Sequence, residues 1–359
     1  MTETAIPSRM PASAPIDDAI LPFEVASLDL RGRVVRLGPV LDRILGSHDY
    51  PAPVAKLLGE AIALTVLLGS SLKFEGRFIL QTQTDGPVRM LVVDFTSDFV
   101  NPGRVRACAR FDRPRVEAAI AARTVSAGEL LGQGHLAMTI DQGADMNRYQ
   151  GLVALTGGGL EDAAHEYFLR SEQIPTRVRL AVAEEFSAAK IEAEPDGKSE
   201  SGPASSGAMS GPRHNWRAGG MLLQFLPKSA ERMRVADLDP GDAPAGTAPH
   251  VVAEDDAWRE GRALIDTVED IELIDPDLSS ERLLYRLFHE QGVRVFRSNA
   301  VEAKCSCSRD NVANMLKSFS QDDRDHMVEN GVISVTCEFC SSNYVFEPSE
   351  VAGSEASPS

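Results

Sequence analysis

Basic side chains are in short supply in this sequence. Thirty-six Lys and Arg stand against 53 Asp and Glu over 359 residues, a formal net charge of −17. A surface of that sign repels nucleic acid and anionic lipid, so neither nucleic acid nor membrane is an expected partner. Residues 301–347 share the deficit, with four basic residues (Lys304, Arg309, Lys317, Arg324) against eight acidic ones. A long apolar run is also missing. The most apolar stretch, 54–68, is interrupted by Lys56 and Glu60 and reads as too short to span a bilayer. The first 22 residues, polar and rich in Pro, Ser and Ala, lack the basic-then-apolar pattern of a signal peptide. A cytoplasmic protein is the expectation.

Catalytic constellations are absent as well. Gly157-Gly158-Gly159 precedes a helical pattern without the Lys-Ser/Thr of a P-loop or the spacing of a dinucleotide fingerprint, so it reads as a turn. Ser171 has no nucleophile elbow around it, and His165 is not a convincing base; a helix end before Pro175 accounts for the segment. His48 to Pro51 reads as a cap for the helix that follows. The chain is expected not to be an enzyme.

What is present is an α+β pattern. Val54, Leu57, Leu58, Ala61, Ile62, Leu64, Thr65 and Leu68 recur at helical spacing behind Pro53. Strands are expected over 74–84 and 88–95, joined by the turn Asp85-Gly86-Pro87, and over 105–110, 135–141, 149–156 and 177–183. A helix is expected over 160–169, and two amphipathic helices over 258–274 and 278–289. Hairpins outnumber regular βαβ units, which favours α+β over a doubly wound sheet. The stretches 187–213 and 237–256 are low in large apolar residues and read as inserts. The expected organisation is a flexible tail (1–22), an N-terminal mixed α/β domain (23–235, with the insert about 187–213) and a low-complexity insert (236–256). A helical linker (257–295), a small four-cysteine zinc domain (296–347) and a second tail (348–359) follow.

Five cysteines occur, and four of them fall in the last fifth of the chain as Cys305-Ser-Cys307 and Cys337-Glu-Phe-Cys340. Two close pairs separated by a domain-sized loop suit a tetrahedral zinc site, each pair spanning one edge. Four thiolates saturate the ion and leave no position for an activated water, which excludes Lewis-acid hydrolysis. His326 lies between the pairs on a polar segment and reads as exposed. Cys108 has no nearby partner and reads as a buried strand residue. The spacing leaves two uses open. One is a structural clip on a constitutive protein-interaction module. The other is a redox sensor, because each pair can close on itself once the metal leaves. A structural zinc contributes roughly 10–16 kcal/mol to folding a small module. Disulfides closing such short loops restore only about 1.5–2 kcal/mol each. Oxidation is therefore expected to unfold the module.

The chain resembles the 33 kDa chaperonin family of bacterial holdase chaperones. The resemblance rests on 50–95, 149–177, 219–227 (GGMLLQFLP), 283–296 (LLYRLFHEQGVRVF), 304–309 (KCSCSR) and 335–346 (VTCEFCSSNYVF). It implies one zinc per chain held by Cys305, Cys307, Cys337 and Cys340 in an inactive reduced form. It also implies disulfides Cys305–Cys307 and Cys337–Cys340 on oxidation, with zinc release and linker unfolding. The resulting homodimer is expected to bind unfolded or partly unfolded client proteins without ATP. The inserts depart from the family's usual compactness.

Overall fold

The computed structural model describes residues 17–71, 75–98, 100–142, 148–187, 213–227 and 254–352. Its centre is an 11-stranded sheet. The strands β1 (Ala19–Val25) and β2 (Leu30–Leu37) form a hairpin, and β3 (Gly76–Thr84), β4 (Val88–Ser97) and β5 (Gly103–Phe111) form a meander. To these are added β6 (Gln133–Asp141), β7 (Tyr149–Thr156), β8 (Thr176–Ser187), β9 (Arg213–Phe225), β10 (Arg294–Val295) and β11 (Asn299–Ala303). The spatial order is β7-β6-β3-β4-β5-β11-β1-β2-β9-β8, with β10 beside β1. Among the described residues, β11 is the strand that joins the two halves. It pairs antiparallel with β1 and parallel with β5, where Val301, Glu302 and Ala303 face Gly103, Arg104 and Val105.

Several expected boundaries move. Strand β1 starts at Ala19, inside the stretch whose Pro, Ser and Ala content reads as a tail, and it includes Pro22. Its missing N–H falls where the neighbouring strand changes from β11 to β10, a gap that tolerates proline. The residues 299–303, assigned from sequence to the zinc domain, are a strand of the large sheet instead. Val351, read as tail, is fully buried in the C-terminal module. Of the two inserts, 188–212 and 228–253 lie outside the described residues.

Helix α1 (Pro39–Leu45) leads into α2 (Ala52–Gly69), which lies across one face of the sheet. Apart from Lys56 and Glu60 near its start, α2 is apolar around nearly its whole circumference, the signature of a helix enclosed by core. It is long and apolar enough to cross a membrane, longer than the 54–68 stretch suggests, yet 78% of it is buried inside the protein. Short helices α3 (Arg113–Ala122), α4 (Ala127–Leu131) and α5 (Leu160–Tyr167) complete that side. Glu60 on α2 carries a carboxyl pushed up to about 7, first by burial and then by the charges of Glu161 and Asp270, with Lys56 opposing. The native state therefore prefers the protonated form. Stability is full below the ordinary carboxylate range and falls as pH rises through about 7. Glu60→Gln is expected to raise Tm by a few degrees at pH 8 and to leave it nearly unchanged at pH 5, measured by scanning calorimetry.

The other face is covered by α6 (Asp256–Asp266), α7 (Asp270–Ile274) and α8 (Ser280–Phe288). The helix expected over 258–274 is thus two helices. The chain breaks after Thr267, and Glu269 with Glu272 forms a capping box that restarts it. Period-two alternation sorts the strands between the faces. Leu30, Val34, Met221, Leu223 and Phe225 join Leu21, Phe23 and Val25 against Trp258, Ile265, Leu273, Leu283, Leu284, Leu287 and Phe288. Arginines on the same face hold the helices. Arg36, 2% exposed, donates to the Glu272 and Asp275 carbonyls at 2.6 Å each, and Arg217 donates to Ile274 O at 2.9 Å. These are the carbonyls that the end of α7 leaves without helical partners, and cations there also complement the helix dipole. Arg177 and Arg179 pair with Asp266 (2.6 Å) and Asp270 (3.1 Å) at the rim.

Candidate metal centre

The C-terminal module contains α9 (Arg309–Lys317), α10 (Gln321–His326) and a three-stranded sheet of β12 (Val328–Glu329), β13 (Val332–Thr336) and β14 (Asn343–Phe346). Its core is small: Leu316, Ile333, Phe346 and Val351 are the fully buried apolar side chains. Arg309 supplements it, stacking 4.4 Å over the Phe346 ring and reaching Glu350 with two 3.0 Å bonds.

The first cysteine pair hangs directly from the large sheet. The β5–β11 ladder ends with Lys304 N–H donating to Val105 O at 3.1 Å, and Cys305 follows. Ser308 then caps α9, accepting from Asn311 N–H at 3.1 Å. The second pair occupies the turn between β13 and β14. There Ser341 N–H donates to Cys337 O (2.8 Å), Cys337 N–H donates to Ser342 O (2.9 Å), and Ser341 takes a left-handed φ of 54°. The two segments meet so that the sulfurs of Cys305, Cys307, Cys337 and Cys340 all lie within 4.8 Å of one another. Two close approaches cross between the pairs, Cys305 to Cys337 at 3.7 Å and Cys307 to Cys340 at 3.3 Å. This group can hold a metal ion. Tyr344 donates its hydroxyl to Cys307 Sγ at 3.3 Å, a ligand-orienting contact of the kind metal sites use. Burial pushes the Cys307 thiol up to about 12. Burial also opposes ionisation of Cys340, but hydrogen bonding with Ser342 and the neighbouring sulfurs brings it down to about 7.

His326 is exposed on α10, bonded to its own helix through Asp322 O, and takes no part in the sulfur group. His165 accepts a hydrogen bond from Val178 N–H at 2.9 Å, and burial lowers its pKa, so it is a neutral buttress between α5 and β8. Ser171 lies in a single π-turn after α5, and Gly157–Gly159 form the turn that packs against Gly128.

The sequence did not point to the surface on which the cysteine turn rests. Arg106 donates to Asp94 through Nε (2.8 Å) and Nη2 (2.5 Å) and to Ser306 Oγ through Nη1 (2.8 Å), and it lies 4.1 Å beneath the Phe339 ring. Arg110 pairs with Glu338 at 2.5 Å. The His48 ring contacts Ser341 Oγ through Nδ1 (3.0 Å) and Phe339 O through Nε2 (3.4 Å), so the segment read as a helix cap is part of the docking surface. Between the two arginines on the same face of β5 sits Cys108, 4% exposed, its thiol pushed up to about 11 mainly by burial, with Glu338 adding to it. The available signal was the alternation Arg104, Arg106, Cys108, Arg110 on a strand whose other side is apolar.

The sequence profile of the family described as "Hsp33 protein" matches residues 18–347. The 33 kDa chaperonin of Caulobacter vibrioides is 42% identical over 341 residues, covering 94% of this chain and 97% of that protein. The 33 kDa chaperonin of Pseudomonas paraeruginosa is 35% identical over 326 residues, 90% of each chain. The crystal structure of the Thermotoga maritima 33 kDa chaperonin superposes with a TM-score of 0.67 at 20% identity, covering 93% of this chain and 96% of that one, a likeness of fold.

Proposed function

The chain belongs to the Hsp33 protein family, and from that premise we propose that it is an ATP-independent holdase chaperone of the cytoplasm, held inactive by zinc and switched on by thiol oxidation. Cys305, Cys307, Cys337 and Cys340 hold the zinc. An all-sulfur donor set suits that ion, and bonds of about 2.3 Å place tetrahedral sulfurs about 3.8 Å apart, close to the 3.7 Å between Cys305 and Cys337. When bound, the ion ties the C-x-C segment to the β13–β14 turn and offers no open position for catalysis.

The observation that carries the reading is one of connectivity. Helices α6 to α8, then β10 and β11, form one continuous run that covers the apolar face of β1, β2 and β9 and ends at Cys305. Strand β10 is two residues long, and β11 is held by two pairings to β1 and three to β5. So short a ladder depends on what anchors its end. Oxidation converts the thiols of Cys305 and Cys307 to one disulfide and those of Cys337 and Cys340 to another. Each pair gives up two electrons, and four sulfurs cease to be ligands. The module's buried side chains supply on the order of 6–12 kcal/mol, no more than the metal itself. The module therefore melts, β11 loses its anchor and the helices lift from the sheet. The uncovered face, with Leu21, Phe23, Val25, Met221, Leu223 and Phe225, binds apolar segments of unfolding clients, and the oxidised chain forms a homodimer.

The test is suppression of thermal aggregation of a client by reduced and by oxidised protein, with zinc release and free thiols counted in the same samples. Suppression is expected only after about four thiols and one zinc are lost. Equal activity in both states removes the switch and leaves a constitutive interaction module.

A further inference from the structure

Beside the cysteine group, the ends of β3, β4, β5 and β6 frame an open groove of about 530 Å³. Cys305 forms part of its wall. Arg77, Arg104 and Lys304 project around it. Among the described residues, neither the Arg77 nor the Arg104 side chain takes part in a hydrogen bond or an ion pair, and Lys304 has a 3.7 Å contact to Glu302. This contrasts with Arg106 at the base of the groove, which is fully engaged with Asp94, Ser306 and Phe339. Two carboxylates of the wall are already matched, Asp94 by Arg106 and Asp141 by Arg148. On the groove's other side Asp98 is fixed in a tight turn, accepting from the N–H groups of Val100 and Asn101 at 2.9 Å each and from the Asn101 side chain at 2.9 Å. Two arginine side chains without a hydrogen bond or ion pair among the described residues, a lysine held only by Glu302, four carboxylates that each have a partner (Glu75, Asp94, Asp98, Asp141) and Cys305 therefore line a single depression in a chain whose net charge is −17, with Arg104 close enough to Asp98 to stabilise its charge. Arginines left without a close carboxylate in so acidic a protein mark a place where an anion is received.

We propose that this groove binds a small carboxylate-bearing disulfide of the glutathione class and delivers it to Cys305. The carboxylates of one half meet Arg77, Arg104 and Lys304, and its α-ammonium meets Asp98. The proposal deepens the reading of the chain as an oxidation-switched protein, by naming an oxidant and the sulfur it meets. The Cys305 thiolate attacks one sulfur of the bound disulfide, forming a mixed disulfide and expelling the other half as a thiolate. The Cys307 thiolate then attacks Cys305 Sγ, forming the Cys305–Cys307 bond and expelling the second half. Two protein thiolates lose two electrons, and one small disulfide becomes two thiols on protonation. A neutral oxidant such as hydrogen peroxide has no use for the cations and reaches the sulfurs without them.

The experiment compares the zinc-loaded full chain with the Arg77→Gln/Arg104→Gln double variant. Neither arginine supports the fold through a hydrogen bond, and circular dichroism and Tm verify that the variant is intact. Binding is measured by calorimetry with S-methylglutathione, which carries the charges but cannot exchange. Saturable binding, weakened about tenfold or more in the variant, is expected. Thiol loss is then followed with glutathione disulfide and, separately, with hydrogen peroxide. The rate with the disulfide is expected to saturate and to fall about tenfold in the variant at low concentration, whereas the rate with peroxide stays within about twofold. Absence of saturable S-methylglutathione binding, or equal binding by the variant, overturns the proposal. So does an equal slowing with both oxidants. Because these measurements count ligand and thiols, they stand apart from client protection: a chain that binds and reacts as expected without suppressing aggregation defeats the holdase reading and leaves the groove in place.

Discussion

Gly219→Val is expected to yield a chain that suppresses aggregation while fully reduced and zinc-loaded. Gly219 lies in β9 directly beneath α7, where a Cβ would stand 2.1 Å from the Leu273 carbonyl oxygen and 2.6 Å from its carbon. Backbone atoms cannot yield as a flexible side chain does, so either strand or helix must move. Strand β9 is paired on both sides, with β2 and β8, over many residues. Helix α7 is five residues long; Arg36 and Arg217 hold its C-terminal carbonyls, exposed ion pairs tie Asp270 to Arg179 and Glu272 to Arg286, and its one fully buried side chain is Leu273. The helix gives way. Its departure also strips the buried Arg36 guanidinium of two carbonyl acceptors, which favours water entry over reclosure. Client protection without oxidant, with one zinc still bound, is the expected outcome, and enhanced hydrogen exchange in 256–288 should accompany it. The adjacent Gly220→Ala provides the contrast. Its Cβ meets Leu67 Cδ1 of α2 at 2.9 Å on the opposite face, so it should lower Tm without selective release of the helices. If Gly219→Val stays inactive while the helices exchange rapidly, the covered face is not the client surface.

Cys337→Ser is expected to unfold the C-terminal module in the absence of any oxidant. Losing one of four thiolates costs most of the roughly 10–16 kcal/mol that a closed zinc site contributes. With four fully buried apolar side chains, the module has no reserve of comparable size. The expected measurements are loss of stoichiometric zinc, proteolytic sensitivity over 305–352, and alkylation of Cys108. That last thiol is a reporter already in place. It is 4% exposed between Arg106 and Arg110, under the turn that carries Phe339 and Glu338, so it should resist maleimide in the reduced wild-type chain and react once the turn leaves. Persistent protection of Cys108 in Cys337→Ser would mean that the turn stays docked without its metal. The same variant separates the two uses of zinc that the spacing left open. Client protection in the absence of oxidant marks a switch, and misfolding without gain of activity marks a clip.

The legible parts of the fold were those with a strong local period. Strand β7 has the bounds expected from its sequence, Tyr149–Thr156, because alternate side chains face the core and solvent all along it. The α2 pattern was unmistakable, since a helix enclosed by core must be apolar around nearly its whole circumference. The helices over 256–288 were visible as amphipathic, but their break at Thr267 was not. Both pieces cover the same apolar face, so the periodicity runs through the gap. The docking surface of the cysteine turn was hidden for another reason. His48, Arg106, Arg110 and Phe339 are scattered over nearly 300 positions and acquire a shared purpose only when β5 and the β13–β14 turn come together.

The amino-acid order alone decided the chemistry on offer: two close thiol pairs, an excess of acidic side chains, and buried and amphipathic helices. Those are properties of residue type and short-range spacing. Folding alone decided which apolar face the helices conceal, that the segment bearing Cys305 is an extension of the strand joining both halves of the sheet, and that Arg77 and Arg104 gather in the groove beside that sulfur. Each of these is a meeting of residues remote in the chain, brought about by burial and strand register, which local pattern does not encode.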